Sequence, residues 1–76
     1  MKREPNVEFL AELTAHRRGR GHAPCKLMAG VSLTGDHQVI LRSEDQSGVA
    51  AMVAALTPEA ALELAGALIR SAQAAA

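Results

Sequence analysis

The densest group of chemically capable side chains lies in "TAHRRGRGHAPC", residues 14–25, with three arginines, two histidines and one cysteine. Arginine presents a planar fork of donors that matches phosphate and carboxylate groups. The two glycines of the segment allow close approach to the backbone. The segment therefore predicts binding to an anionic partner. The residues predicted to contact that partner are Arg17, Arg18, Arg20, His22 and Lys26.

The anionic partner could be an acidic protein surface or a nucleic acid. Readers of single strands and RNA stack bases on aromatic side chains, and none lies near this segment. No helix-turn-helix pattern is visible, because strands separate the two predicted helices. We therefore favour an acidic protein partner, and the alternative is a small nucleic-acid-binding regulator that uses the basic loop at 17–26.

Metal binding and nucleophilic catalysis would both use Cys25. His22 and Cys25 form one close pair, which His16 or His37 could extend, but a structural zinc site needs four ligands, usually in two pairs. A reactive thiol beside His22 or His37 would need an accessible, electropositive setting. A chain of 76 residues is also short for enclosing a substrate pocket. We expect no metal, no cofactor and no catalytic residues.

Composition limits the size of the core. The 76 residues form one predicted domain, 1–76, and sixteen of them are alanine, whereas aromatic residues make up 1%. A chain of this size buries only about 60% of the surface that its unfolded form exposes, and alanine adds little to the buried area. Small domains with thin cores are often stabilised by oligomerisation. The sequence predicts a homodimer.

Charge and targeting signals bear on location. The net charge is zero, but residues 1–26 carry +3 and residues 27–76 carry −3. The single cysteine suits a reducing compartment. No apolar run is long enough for a signal peptide or a membrane span. We expect a cytoplasmic protein that does not enter membranes.

The first periodic segment favours a helix over residues 7–18. Phe9, Leu10 and Leu13 would share one helical face, and Arg17 and Arg18 would occupy the last turn. Glycines and a proline then predict a loop over 19–24.

The rest of the chain predicts three strands and a second helix. Strands are expected at 25–33, 38–43 and 49–55, although the alanines of the third also suit a helix. Thr57 as N-cap and Pro58 at the first position predict a helix over 58–73. The predicted fold class is α+β, ordered α-β-β-β-α, with both helices on one face of an antiparallel sheet.

Alternation in the first predicted strand separates two sheet faces. The apolar, core-facing side would consist of Cys25, Leu27, Ala29, Val31 and Leu33. The other side would be mixed, and together with the apolar side of the last helix it offers a surface for packing or for a second copy. The residues predicted on this surface are Met28, Ile40, Leu62, Leu68 and Ile69. The sequence thus predicts a small non-catalytic protein-interaction or regulatory module that acts as a homodimer.

Overall fold

The computed structural model describes residues 6–76, and of Arg20 it describes the backbone alone. The described part is one four-stranded antiparallel sheet followed by a helix, and the strands neighbour one another in chain order. The elements are β1 (Val7–His16), β2 (Pro24–Ser32), β3 (Val39–Glu44), β4 (Ala50–Leu56) and α1 (Pro58–Ala75), with a short 3₁₀ turn at Arg20–His22.

The first element is a strand, so the predicted helix over residues 7–18 and the order α-β-β-β-α are wrong. β1 pairs with β2 along its whole length, from Val7 opposite Ser32 to His16 opposite Pro24. Valine, phenylalanine and threonine, all present in this stretch, favour strands. A helix of this length is only marginally stable alone, whereas pairing covers an edge of β2 that would otherwise be open.

A bulge in β1 explains why its alternation was hard to recognise. The register with β2 shifts between Phe9 and Ala11, and Leu10 is the extra residue. Gly30 lies opposite Phe9, and a Cβ added there would overlap the carbonyl oxygen of Glu8 and lie 2.9 Å from the Phe9 Cα. Only glycine allows β1 to approach β2 this closely.

The remaining elements lie close to the predicted positions. The segment 49–55, for which the sequence suits a strand or a helix, is a strand, since β4 spans Ala50–Leu56. At the start of α1 the Thr57 hydroxyl accepts a hydrogen bond from the backbone N–H of Ala60 at 3.1 Å, and Pro58 is the first helical residue. The N-cap prediction is confirmed.

Asp45 organises the turn between β3 and β4. Its Oδ1 accepts hydrogen bonds from the Ser47 hydroxyl at 2.7 Å, the Ser47 N–H at 2.9 Å and the Val49 N–H at 3.0 Å. These donors, the Ser47 hydroxyl first, lower the pKa of Asp45 below its ordinary value of 3.8. The ionised carboxylate therefore stabilises the turn.

The lowered pKa predicts an acid-dependent contribution to stability. A carboxyl whose pKa is lower in the folded state stabilises the fold above its unfolded pKa and loses that effect as pH falls through the folded value. We expect the midpoint of urea unfolding to decline below about pH 3.8 more steeply in the wild type than in Asp45→Asn. Parallel pH profiles of the two proteins would contradict this role for Asp45.

One face of the sheet carries the buried residues, and we call it the core face. Met28, only 1% exposed, lies between Glu12 of β1 and Arg42 of β3 in the register. Ile40, Arg42 and Glu44 are also buried on this face. Arg42 Nε donates to Glu44 Oε2 at 2.6 Å.

The opposite face, called the open face below, has no buried residue in the described strands. Cys25, Leu27, Ala29 and Val31 belong to it, so the prediction that they face the core is wrong. Leu33, predicted with them, lies just beyond β2 and is exposed. Two oppositely charged side chains that lie two residues apart on a strand share a face and can pair. Such pairing allows a face that carries both charged and apolar residues to be the buried one.

The helix covers neither sheet face, which contradicts the predicted packing. α1 contacts the sheet chiefly at β4, and none of its residues is buried. The chain is accordingly flat, with extents of 35 × 31 × 16 Å.

Candidate functional site

The open face is an apolar surface arranged in rows that cross the strands. Most of its side chains are aliphatic, and alanines dominate the middle row, which we call the alanine trough. The trough consists of Ala11, Ala29, Leu41 and Ala54, and the flanking rows are Leu13, Leu27, Ser43 and Met52, and Glu8, Val31, Val39 and Leu56.

The second uncovered apolar surface runs along α1, and we call it the helix stripe. Its large members are Leu62, 74% exposed, Leu68, 61% exposed, and Ile69, 60% exposed. Spacings of three and four residues place them on one side of the helix with Ala65 and Ala72. The small side chains of the helix are the better covered ones, since Ala60, Ala61 and Ala67 are half-buried. The helix therefore turns its largest apolar side chains to solvent.

The amount of exposed surface can be compared with that of a compact monomer. A monomeric protein of 7.9 kDa is expected to expose about 4,400 Å², and this chain exposes 5768 Å². Its radius of gyration is 13.4 Å, against about 11 Å for a compact domain of this length. The excess surface of roughly 1,400 Å² is larger than the ~800 Å² that one partner buries in a standard interface.

The five residues predicted as a packing or dimer surface separate into two groups. Met28 and Ile40 are buried in the sheet, as residues of a packing surface are. Leu62, Leu68 and Ile69 lie together on the helix stripe.

Sequence reasoning missed the open face as an uncovered surface. Leu13 is 63% exposed there, and Leu27 and Met52 are also exposed. The regular alternation of β2 pointed to these side chains, but an apolar strand face is ordinarily assigned to the core.

The structure brings some of the predicted partner-binding residues together in one loop. The hairpin loop between β1 and β2 carries Arg17, Arg18 and His22, all exposed, and the backbone of Arg20. Because the predicted helix is absent, the two neighbouring arginines are loop residues and do not complement a helix dipole. The side chain of Arg20 lies outside the described part of the chain, as do residues 1–5 of the basic amino-terminal segment.

Backbone hydrogen bonds and left-handed residues shape this loop. The Arg17 N–H donates to the Ala23 carbonyl at 2.9 Å, and the His22 N–H donates to the Gly19 carbonyl at 2.9 Å. Gly19, Gly21 and His22 have positive φ angles of 79°, 77° and 52°. Glycine adopts that region readily, so two of the three positions are suited to it.

Lys26 lies apart from the loop, on the core-face side of β2. Its Nζ is 3.1 Å from Glu12 Oε1, so its charge is partly neutralised. It also lines an open groove of about 260 Å³ with Cys25 and Asp45, among others. A cation and an anion share the groove, which gives it no preference for one sign of charge.

In residues 6–76, no three His, Cys, Asp or Glu side chains are grouped so that they could hold a metal ion. Nor does this part of the chain contain a helix with the length and apolar character that crossing a membrane demands. The chain matches no protein-family model, and comparisons with curated proteins and with solved structures give no match either.

Proposed function

We propose that this chain is a small, non-catalytic protein-interaction module of the cytoplasm that acts as a homodimer. The excess of about 1,400 Å² of surface over a compact monomer carries the proposal. Among the described residues, eleven large hydrophobic side chains are exposed, and six of them lie on the helix stripe or the open face. The single, half-buried Cys25 suits a reducing compartment.

The free energies of side-chain burial and of association indicate how much surface such a dimer must bury. Burying a large aliphatic side chain contributes about 1.5–3 kcal/mol, and the three large residues of the stripe are 60–74% exposed. Two copies of the stripe would then contribute on the order of 6–12 kcal/mol, whereas association costs an estimated 4–15 kcal/mol. The stripe alone is therefore marginal, and a stable dimer needs the open face as well.

The dimer is tested by its mass and by one charged substitution. We expect light scattering at micromolar concentration to give twice the chain mass of 7.9 kDa. Ile69→Glu places a carboxylate in the helix stripe and is expected to weaken dimerisation at least about a hundredfold, because a charge would be desolvated at the interface.

Arg70→Glu is the matched control, since it adds the same side chain on the neighbouring, polar side of α1. It should leave the dimer intact, and circular dichroism should show that both variants fold. A monomeric wild type, or equal dimerisation of the two variants, would contradict the proposal.

The basic hairpin loop is the proposed contact for an acidic protein partner. Arg17 and Arg18 are exposed in one loop, and a dimer would present two such loops. The same exposure is the observation that favours the alternative, a nucleic-acid-binding regulator.

Salt dependence separates the two partners. If three loop arginines from each copy contacted phosphates, affinity for a DNA duplex would fall about 10³-fold between roughly 50 and 200 mM salt. We expect no such binding to duplex DNA or to single-stranded RNA, and we expect an acidic polyglutamate peptide to bind. Arg17→Ser/Arg18→Ser/Arg20→Ser should weaken peptide binding at least about tenfold without changing the unfolding midpoint. A steep salt slope with either nucleic acid would favour the alternative instead.

A further inference from the structure

We propose that the open face of each copy is covered by the helix stripe of a second copy, in a reciprocal, two-fold symmetric dimer. This inference rests on the proposed function and specifies which surfaces meet. The occupant of the open face is α1 of another chain of the same sequence.

The alanine trough and the helix stripe have complementary shapes. Residues two apart on a strand are about 6.6–6.8 Å apart, so the rows on either side of the alanine trough are separated by about 13 Å. A helix with its side chains is about 10–12 Å across. Three of the four trough residues are alanines, which leaves room for the large side chains of Leu62, Leu68 and Ile69.

The connection between β4 and α1 explains why a chain does not cover its own open face. Only Thr57 separates Leu56, the last residue of β4, from Pro58, the first of α1. Connections between a strand and a helix that packs back on the same sheet take about 2–6 residues. Thr57 also serves as the N-cap, so no residue remains to reverse the chain. The stripe is thereby held away from the sheet of its own copy.

Symmetry distinguishes this arrangement from the simpler ones. A dimer that joins two open faces would leave both stripes in solvent, and a dimer that joins two helices would leave both open faces in solvent. Placing each helix on the partner's sheet covers all four surfaces with one two-fold axis, as isologous interfaces require. The excess surface of the chain exceeds what one standard interface needs, which agrees with two contacts per copy.

Cysteine cross-linking between differently tagged copies tests the arrangement. In a Cys25→Ala background, Ala29→Cys marks the alanine trough and Ala65→Cys marks the helix stripe. After subunit exchange, a bismaleimide that spans about one helix diameter, ~10 Å, should link the two kinds of chain. We expect the mixed product to exceed either self-linked product at least fivefold. Ala54→Cys marks the same trough on β4 and serves as a second partner if Ala29→Cys does not fold.

Glu63→Cys is the matched control, because Glu63 lies on the polar side of the same helix. It should link to Ala29→Cys far less than Ala65→Cys does. Predominant self-linking of either variant, equal linking through Glu63→Cys, or an absence of linking in a protein of dimeric mass would overturn the reciprocal arrangement and leave the homodimer standing. A monomeric mass would overturn both proposals.

Discussion

Replacing Gly30 with alanine is expected to destabilise the fold by about 3 kcal/mol, because the added methyl group meets backbone atoms. The new Cβ would overlap the Glu8 carbonyl oxygen and lie 2.9 Å from the Phe9 Cα. Backbone at a bulge cannot move aside as the end of a flexible side chain can. β1 would have to separate from β2 near the Val7 end of their pairing, and small domains have only about 5–15 kcal/mol of stability in total.

Gly66→Ala is the matched control for this prediction. The nearest atom to a Cβ at position 66 is Arg70 Nη1 at 3.3 Å, at the end of a flexible side chain. Alanine in place of glycine within a helix is worth about 0.8–1 kcal/mol, so this variant should be more stable than the wild type. Urea unfolding followed by circular dichroism measures both. Equal effects of the two substitutions would show that the close approach at Gly30 is unimportant.

The bulge that makes Gly30 essential also limits what the sequence could predict. In a regular strand Val7, Phe9, Ala11 and Leu13 would share one face, but the register shift moves the last two to the opposite face. Local pattern then fits a helix as well as a strand, and only the pairing partner decides. The C-terminal helix was predictable because its start is encoded locally, by a threonine cap and a proline.

The sequence could not predict which face of the sheet is buried, and the reason is a different one. Alternation separates two faces but does not state which one is covered. An arginine and a glutamate on the core face suggest a solvated surface, because isolated charges are costly to bury. Arg42 and Glu44 lie two residues apart on one strand and pair across 2.6 Å, which makes their burial possible.

The same reasoning explains why the candidate interaction surface was only partly identified. Leu62, Leu68 and Ile69 stand out in the sequence as an apolar helix side that is too wide for so small a sheet. The open face did not stand out, because it was assigned to the core. The sequence predicted a connection of two residues, 56–57, between the last strand and the helix. In the fold Thr57 alone separates them, and this short connection keeps both surfaces uncovered within one chain.

The buried ion pair predicts the second large effect. The side chains of Arg42 and Glu44 are 8% and 5% exposed, and they lie beside Met28 on the core face. Arg42→Met removes the guanidinium and leaves the carboxylate buried without it. Breaking a buried pair in this way costs about 3–5 kcal/mol, because a buried charge loses an oppositely charged neighbour. We expect Arg42→Met to lower the unfolding free energy by that amount at neutral pH.

Removing both charges should cost much less than removing one. In Arg42→Met/Glu44→Leu, apolar side chains of similar volume replace the pair, and such exchanges are often neutral or stabilising. A double-mutant cycle of urea unfolding, with Glu44→Leu as the other single variant, measures the coupling between the two side chains. Strong coupling would mean that the pair permits burial of the core face without itself being the main source of stability. If the double variant loses the sum of the two single effects, each side chain contributes independently, and the explanation for why this face of the sheet is the buried one is wrong.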